Sequence, residues 1–174
     1  MESTRELRQF IRDIPDYPKP GIVFKDITPL LGNAEAFAEA TAAMVAPFKG
    51  DSITHVVAIE SRGFILGGPI AQALGAGFVP VRKPGKLPAE VRRESYELEY
   101  GTDVLEIHAD ACTLGARVLI VDDVLATGGT ATATAKLVES LGAAVVGFSF
   151  LIALTFLPGA SKLAGRHVVS VVEY

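Results

Sequence analysis

The feature that most constrains the fold is a series of short apolar runs that lack the alternation of a half-buried strand. Two segments of helical character, 64–77 and 130–143, separate several of these runs along the chain. Strands that are apolar on both sides and are joined through helices are typical of a parallel sheet covered on both faces. We therefore predict an α/β, doubly wound, mainly parallel sheet. Its strands are expected in HVVAIE (55–60), FVPVRK (78–83), ARVLIVDD (116–123), AVVGFSFLIAL (144–154) and HVVSVVEY (167–174).

The chain of 174 residues is expected to form one domain, with a small N-terminal hood at about 1–33 and a core at about 34–174. In the hood, STRELRQFIRDI begins with a capping box, and its apolar spacing predicts a helix up to Pro15. The proline-rich segment 15–33 is predicted to be extended and looping, and Asn33 is predicted to cap the next helix.

One further segment departs from the parallel pattern. SYELEYGTDVLEIH (95–108) alternates in polarity and contains Gly101-Thr102-Asp103, which predicts an antiparallel hairpin turning at those three residues. The fold is therefore expected to carry a flexible hairpin loop beside the main sheet.

Composition and charge exclude several classes of protein. A net charge of −4 argues against broad nucleic-acid binding, and no apolar run reaches the roughly 20 residues of a membrane span. Cys112 is the only cysteine, so neither a disulfide framework nor a cysteine zinc site is possible. The three histidines are too far apart in sequence to suggest a metal site. We expect a cytoplasmic protein with no nucleic-acid or membrane partner.

The stretch VLIVDDVLATGGT (118–130) predicts an anion site. Asp122 and Asp123 fall at the carboxyl edge of a buried strand, where such sheets bind ligands. Small and hydroxylated residues then lead into a helix whose N-terminus favours negative charge. Neither the lysine of a nucleotide P-loop nor a dinucleotide fingerprint in the right context is present. The predicted phosphate loop consists of Ala126, Thr127, Gly128, Gly129 and Thr130.

The two aspartates favour a sugar phosphate over a nucleoside triphosphate, because bare carboxylates repel a triphosphate but accept hydrogen bonds from ribose hydroxyls. Strand alternation predicts that their side chains point to opposite faces and do not share one proton. The alternative is an acidic strand end that only caps the following helix.

A second loop, Glu60-Ser61-Arg62-Gly63, follows the buried strand VVAI in the same way. Gly63 lets the backbone approach a ligand closely, and Arg62 offers a bidentate donor. The alternative is a surface arginine in an ordinary loop. Two anion sites at one sheet edge match a substrate that carries both a phosphate and a pyrophosphate.

VLIVDDVLATGGT resembles the phosphoribosyl pyrophosphate motif of the type I phosphoribosyltransferases. The resemblance extends over nearly the whole chain to members that use adenine as acceptor. It implies that the phosphoribosyl group of phosphoribosyl pyrophosphate passes to adenine, giving AMP and pyrophosphate. It also implies Mg²⁺ carried by the substrate without a direct protein ligand, and a homodimer. The other matching segments are YPKPGIVFKDITPLL, AIESRGFILG, RKPGKLP and ESYELEYGTDVLEIH.

The same resemblance assigns roles to individual residues. Glu99, Arg62, Asp122 and Asp123 would be catalytic, and Tyr100 would belong to a lid. The phosphoribosyl group would be bound by Asp122, Asp123 and residues 126–130, and adenine by Val23, Phe24, Lys25 and Leu154. Pyrophosphate would be bound by Ser61, Arg62, Gly63, Arg82, Lys83 and Lys86. The peptide between Glu60 and Ser61 is expected to be cis, and Arg82 is expected to reach the neighbouring subunit's site.

The chain departs from the family pattern at Ala153, where an acidic residue is common. This substitution removes a side-chain contact near the base but touches neither anion loop, so activity is expected to survive. Two other functions remain as alternatives: a transferase for 6-oxo purines or orotate, and a non-catalytic regulator that senses phosphoribosyl pyrophosphate. The hood segment and the hairpin argue against the first, and the negative charge argues against the second.

Overall fold

The computed structural model describes residues 7–97 and 101–174. The chain divides into two compact units, Met1–Ala43 and Met44–Tyr174. A small antiparallel sheet belongs to the first unit, and the larger parallel sheet belongs to the second.

In the first unit, strand β1 (Arg12–Pro15) pairs with β2 (Val23–Asp26), and the short helix α1 (Thr28–Leu31) follows. The predicted helix up to Pro15 is therefore wrong: only Leu7 and Arg8 of the described residues in this segment are helical. Backbone pairing with β2 overrides the weak local preference that the apolar spacing had suggested.

Helix α2 (Ala34–Val45) starts as predicted at Asn33, whose Oδ1 accepts a hydrogen bond from the Ala36 N–H at 2.9 Å. The division between the two units falls within this helix. A 3₁₀ turn at Ala46–Phe48 ends it.

The second unit alternates strands and helices along the chain. Its elements are β3 (His55–Ile59), α3 (Arg62–Leu74), β4 (Gly77–Val81), β5 (Val91–Glu97), β6 (Thr102–His108), β7 (Arg117–Leu125), α4 (Gly129–Ser140), β8 (Ala144–Ala153), α5 (Gly159–Lys162) and β9 (Val168–Glu173).

Within the described residues, five strands form one sheet in the order β4-β3-β7-β8-β9, and every neighbouring pair is parallel. The central strands β3, β7 and β8 are largely buried on both sides because helices cover both faces. On one face, Val57, Ile120 and Phe148 pack in a core with Leu137 of α4. This arrangement confirms the predicted doubly wound α/β fold.

Helix α3 packs closely against the sheet. A Cβ added at Gly67 would lie 2.6 Å from the Cβ of Ala58 on β3. Only glycine therefore allows this close approach of the helix to the strand.

The predicted hairpin is present as β5 and β6, but its bounds differ from the prediction. It begins at Val91, four residues before the predicted start at 95, and Thr102 and Asp103 already belong to β6. Glu97, the last residue of β5, pairs with Thr102, the first residue of β6. Leu105 and Ile107 of β6 belong to the hydrophobic core. Their burial explains why the pairing of β5 with β6 extends back to Val91, before the alternating segment begins. In the part of the chain that the structure describes, no helix has the length and apolar character needed to cross a bilayer.

The register brings the carboxyl ends of three strands to one edge. Ile59 of β3 lies opposite Val81 of β4, and Ala58 lies opposite Val121 of β7. The segments that begin at Glu60, Arg82 and Asp122 therefore meet at this edge, where ligands bind in sheets of this kind.

Candidate active site

The loop between β7 and α4 has the geometry of an anion site. Gly128 has a φ of +77°, a left-handed conformation that favours glycine, and it caps the 12-residue helix α4. The first N–H groups of any helix lack an intrahelical acceptor, so those of α4 can donate hydrogen bonds to an anion at this end. A small cavity of about 60 Å³ lies here. It is lined by Asp122, Val124, Leu125, Ala126, Thr127, Gly128, Thr130, Ala131 and Phe150.

A glycine outside the motif supports this loop from behind. A Cβ added at Gly159, the first residue of α5, would lie 2.4 Å from the Ala126 carbonyl oxygen. A Cβ at Gly128 would in turn lie 2.9 Å from the Gly159 carbonyl oxygen. The two segments are therefore in backbone contact. Gly159 was not among the predicted site residues, and the isolated Pro-Gly after β8 was the available signal for it.

The two aspartates lie in β7 and both line one larger pocket. The Asp123 side chain accepts a hydrogen bond from Arg62 Nε, and Asp123 is only 5% exposed. The Asp123 N–H donates to Asp122 Oδ1 at 2.9 Å. Burial raises the pKa of the Asp122 carboxyl well above its ordinary value, and the charge of Asp123 raises it further. Strand alternation predicts that the two side chains point to opposite faces, and the structure shows that both residues nevertheless line the same pocket.

The second predicted loop meets the first. The peptide between Glu60 and Ser61 is cis, as expected, and α3 begins at Arg62 directly after it. A Cβ added at Gly63 would lie 2.9 Å from Asp122 Oδ1. Gly63 thus allows the start of α3 to approach the acidic end of β7.

Between these loops lies a pocket of about 400 Å³. Its wall combines the carboxylates of Glu60, Asp122 and Asp123 with the cations of Arg62 and Lys83, so it can hold a ligand that has hydroxyls as well as anionic oxygens. The lining residues are Ile59, Glu60, Ser61, Arg62, Lys83, Tyr96, Asp122, Asp123, Val124 and Thr130.

The basic segment 82–88 is ordered by ion pairs. Arg82 Nε donates to Glu60 Oε2 at 2.7 Å, next to the cis peptide, and Arg82 Nη1 lies 3.5 Å from the Lys86 carbonyl oxygen. Lys86 is exposed to solvent. Of the three predicted basic residues, the structure places Lys83 in the pocket wall and pairs Arg82 with the lining residue Glu60, whereas Lys86 is not a lining residue.

Lys83 is tied to the hairpin. Its ammonium donates to Asp103 Oδ2 and, at 3.2 Å, to the Tyr96 hydroxyl. Burial alone would lower the pKa of Lys83, but these hydrogen bonds raise it above its ordinary value. The hydrogen bond from Lys83 lowers the pKa of Asp103. Asp103 and Tyr96 were not among the predicted site residues, although the hairpin register places them opposite each other.

The hairpin also reaches the anion loop. A Cβ added at Gly129 would lie 3.2 Å from Tyr96 Cδ2, and Lys136 Nζ of α4 donates to Glu94 at 2.9 Å. The hairpin therefore lies over the N-terminal end of α4. The predicted acid/base Glu99 and the predicted lid residue Tyr100 fall outside the described residues.

The predicted adenine-binding residues of the hood lie on β2, in the first unit. Val23 is 48% exposed, the Phe24 ring contacts Tyr17 edge-on at 5.2 Å, and Lys25 Nζ donates to Asp13 at 2.7 Å. In the second unit, Leu154 follows β8, where its N–H donates to the Leu125 carbonyl at 3.0 Å.

Ala153 is the last residue of β8 and is almost fully buried. Its carbonyl accepts the Tyr174 N–H at 2.9 Å. Its backbone therefore keeps the strand end in place although the side chain is short.

The pocket wall offers oxygen ligands of the kind that Mg²⁺ prefers. In residues 7–97 and 101–174, no group of three or more His, Cys, Asp or Glu side chains is placed to hold a metal. Asp122 and Asp123 are hard oxygen ligands at the pocket wall, and Mg²⁺ commonly combines one or two carboxylates with substrate phosphates.

The five-stranded parallel sheet, with two loops and a pair of aspartates at one edge, has the architecture of the type I phosphoribosyltransferases. Residues 29–172 match the family model of the phosphoribosyl transferase domain. Similarity to known proteins then shows which phosphoribosyltransferases the chain resembles. The chain is 58% identical over 169 residues to an adenine phosphoribosyltransferase of Acaryochloris marina, covering 97% of this chain and 99% of that protein. The chain therefore belongs to the adenine phosphoribosyltransferase family.

Solved structures agree with this assignment. The adenine phosphoribosyltransferase of Rhodothermus marinus superposes with a TM-score of 0.96 at 56% identity, covering 99% of each chain. The Trypanosoma brucei enzyme, solved with AMP, pyrophosphate and ribose-5-phosphate, superposes with a TM-score of 0.90 at 26% identity, covering 99% of this chain and 80% of that one.

Proposed function

We propose that this chain transfers the 5-phosphoribosyl group of phosphoribosyl pyrophosphate to adenine, giving AMP and pyrophosphate in purine salvage. The observation that carries the proposal is the pocket that places the Asp122–Asp123 pair between the 126–130 loop and Arg62. Such a pocket matches a ribose that has a phosphate at one end and a pyrophosphate at the other. The ligands of the Trypanosoma brucei relative are the corresponding products and fragments.

The 126–130 loop binds the 5-phosphate in this proposal. Its small residues leave the backbone N–H groups accessible, and α4 adds the positive end of its dipole. The ribose hydroxyls then lie on Asp122 and Asp123. These carboxylates carry the charge that stabilises an oxocarbenium-like transition state when the bond to pyrophosphate breaks.

The leaving pyrophosphate is held on the opposite side of the pocket. The Ser61–Gly63 backbone and the Arg62 guanidinium form one anchor, and Arg82, Lys83 and Lys86 form the other. The Arg62–Asp123 ion pair keeps the guanidinium next to the reacting sugar. Mg²⁺ supplies charge neutralisation on the pyrophosphate oxygens when it enters with the substrate.

Adenine is proposed to be bound by Leu154 and by three residues of the hood. Phe24 would stack on the purine, Val23 would pack beside it, and the Lys25 backbone would read its edge. Glu99 is the proposed acid/base and Tyr100 the proposed lid residue. Excluding water matters because hydrolysis would destroy the activated sugar.

The active form is proposed to be a cytoplasmic homodimer. Ile65 is 45% exposed and Phe78 is 41% exposed, and the Phe78 ring packs edge-on against Phe64 at 5.8 Å. Arg82 lies over the Phe64 ring, so this apolar face adjoins the pyrophosphate side. Sedimentation should show a dimer that Phe78→Ser converts to monomer. The control Leu114→Ser, at an exposed leucine elsewhere, should leave the dimer intact.

One assay tests the reaction itself. The protein is incubated with phosphoribosyl pyrophosphate, Mg²⁺ and either adenine, hypoxanthine, guanine or xanthine, and the nucleotide is identified. AMP as the only nucleotide formed supports the proposal, whereas IMP or GMP would assign the chain to the 6-oxo purine transferases. Absence of any product with retained binding of phosphoribosyl pyrophosphate would favour a regulator.

A further inference from the structure

Glu106 is a charged residue buried inside the second unit. It is 1% exposed and lies in the middle of β6. Its Oε1 accepts a hydrogen bond from Arg93 Nε at 2.6 Å, and its Oε2 accepts one from the Gly85 N–H at 3.1 Å. Burying a carboxylate is costly unless it is paired, so these two donors account for its presence in the interior.

Glu106 also holds the basic segment through its backbone. The Arg82 N–H donates to the Glu106 carbonyl at 2.9 Å, and the Glu106 N–H donates to the Arg82 carbonyl at 2.7 Å. One residue of the hairpin therefore fixes the segment at Arg82 and again at Gly85. Lys83, which lies between these two points, is the residue of the segment that lines the pocket.

The counter-ion of Glu106 comes from the facing strand. Arg93 on β5 lies directly opposite Glu106 in the hairpin register. Its side chain is 67% exposed, so it covers the carboxylate from the solvent side. Removing the Arg93 guanidinium would leave the buried Glu106 carboxylate with one of its two donors, the Gly85 N–H. Arg92, the preceding residue, is exposed and provides a matched control on the same strand.

We propose that Glu106 is a positioning residue, with Arg93 as its counter-ion, that fixes the 82–88 segment for binding the pyrophosphate of the substrate. The proposal rests on the function assigned above to this segment. A carboxylate is required because both groups that face it are donors. In Glu106→Gln the amide nitrogen meets one of these donors, so one of the two hydrogen bonds is lost while the side-chain volume is kept.

A role in positioning predicts a selective kinetic effect. Loss of a hydrogen bond to a charged group corresponds to roughly a tenfold to hundredfold change. Glu106→Gln and Arg93→Gln should therefore raise the KM for phosphoribosyl pyrophosphate and the inhibition constant of pyrophosphate by about tenfold or more. The KM for adenine and the affinity for AMP should change less than about twofold. Arg93→Lys, which keeps the charge, should restore part of the loss.

The test is steady-state kinetics with both substrates varied, together with AMP titration and circular dichroism of each variant. Arg92→Gln should match the wild type. If Glu106→Gln does not fold, the same kinetic constants are measured for Arg93→Gln, which changes the exposed partner of Glu106. Unchanged constants for phosphoribosyl pyrophosphate and pyrophosphate, or an equal rise in the KM for adenine, would overturn the proposal. A wild-type protein that forms no AMP would instead refute the proposed function.

Discussion

Replacing Gly159 by alanine tests whether the anion loop depends on support from outside the motif. Gly159 lies in a helix, so its backbone conformation accepts alanine. The new Cβ, however, would lie 2.4 Å from the Ala126 carbonyl oxygen and 3.0 Å from Leu125 Cδ1. Ordinary carbon–oxygen contacts lie at about 3.3 Å or more. The Ala126 carbonyl and the Gly159 backbone must therefore separate by about 0.9 Å, which displaces the loop or the α5 segment that supports it.

This displacement has a thermodynamic and a kinetic consequence. Forcing a methyl group into a packed site costs about 1–3 kcal/mol. For a chain of this length such a cost lowers Tm by roughly 2–12 °C. A misplacement of about 1 Å reduces catalysis by about a hundredfold. We expect kcat/KM for phosphoribosyl pyrophosphate to fall by about that factor in Gly159→Ala, while the KM for adenine changes little.

The assay is AMP formation with phosphoribosyl pyrophosphate varied at saturating adenine, combined with thermal unfolding. Ala160→Ser, at the exposed neighbouring position of the same helix, is the control and should behave like the wild type. A Gly159→Ala protein with wild-type Tm and wild-type kcat/KM would show that the contact between the segments does not hold the loop.

Four further predictions concern charged groups and close approach at the pocket. Because burial raises the pKa of Asp122, ionisation of this carboxyl lowers the stability of the fold as pH rises above about 3.8. Asp122→Asn should therefore raise Tm more at pH 8 than at pH 5, and it should also lower turnover. Asp123→Asn, which removes the carboxylate that pairs with Arg62, should lower turnover by orders of magnitude without unfolding the protein by circular dichroism; unchanged turnover would contradict its role. Gly63→Ala should weaken pyrophosphate binding measured by calorimetry, since its Cβ would lie 2.9 Å from Asp122 Oδ1. Because the pKa of Asp103 is lowered, its carboxylate stabilises the fold above about pH 3.8, and this contribution is lost as pH falls through the pKa of the folded state. In Asp103→Asn the free energy of unfolding measured in urea should therefore depend less on pH in the acidic range.

The sheet and both anion loops were predictable because their signals are local. Four apolar residues before Asp122 specify a buried strand, and the small residues up to Thr130 specify a turn into a helix. Strand ends in a parallel sheet meet at one edge, so the proximity of the two loops followed from topology, whereas the ion pair between Arg62 and Asp123 was not predicted.

Features that depend on tertiary pairing were not predictable in the same way. Residues 12–15 have helical spacing but pair with β2, a contact that local propensity does not encode. The hairpin turn was placed at Gly101-Thr102-Asp103, and this placement hid the pairing of Asp103 with Tyr96. Without that register, the ion pair with Lys83 had no signal in the sequence.

Gly159 and Glu106 were missed for a related reason. Each acts on a segment distant in sequence, Gly159 on Ala126 and Glu106 on Gly85. Isolated glycines and single strand carboxylates are common in proteins of this size, so only the three-dimensional contacts identify these two as supports of the site.

The most direct test is a crystal structure of the protein with AMP. The central claim is that the backbone of residues 126–130 binds the 5-phosphate while Asp122 and Asp123 bind the ribose hydroxyls. We expect phosphate oxygens within hydrogen-bonding distance of the N–H groups at the start of α4, with the ribose hydroxyls on the two carboxylates. A nucleotide bound elsewhere, with no phosphate in this loop, would contradict the claim.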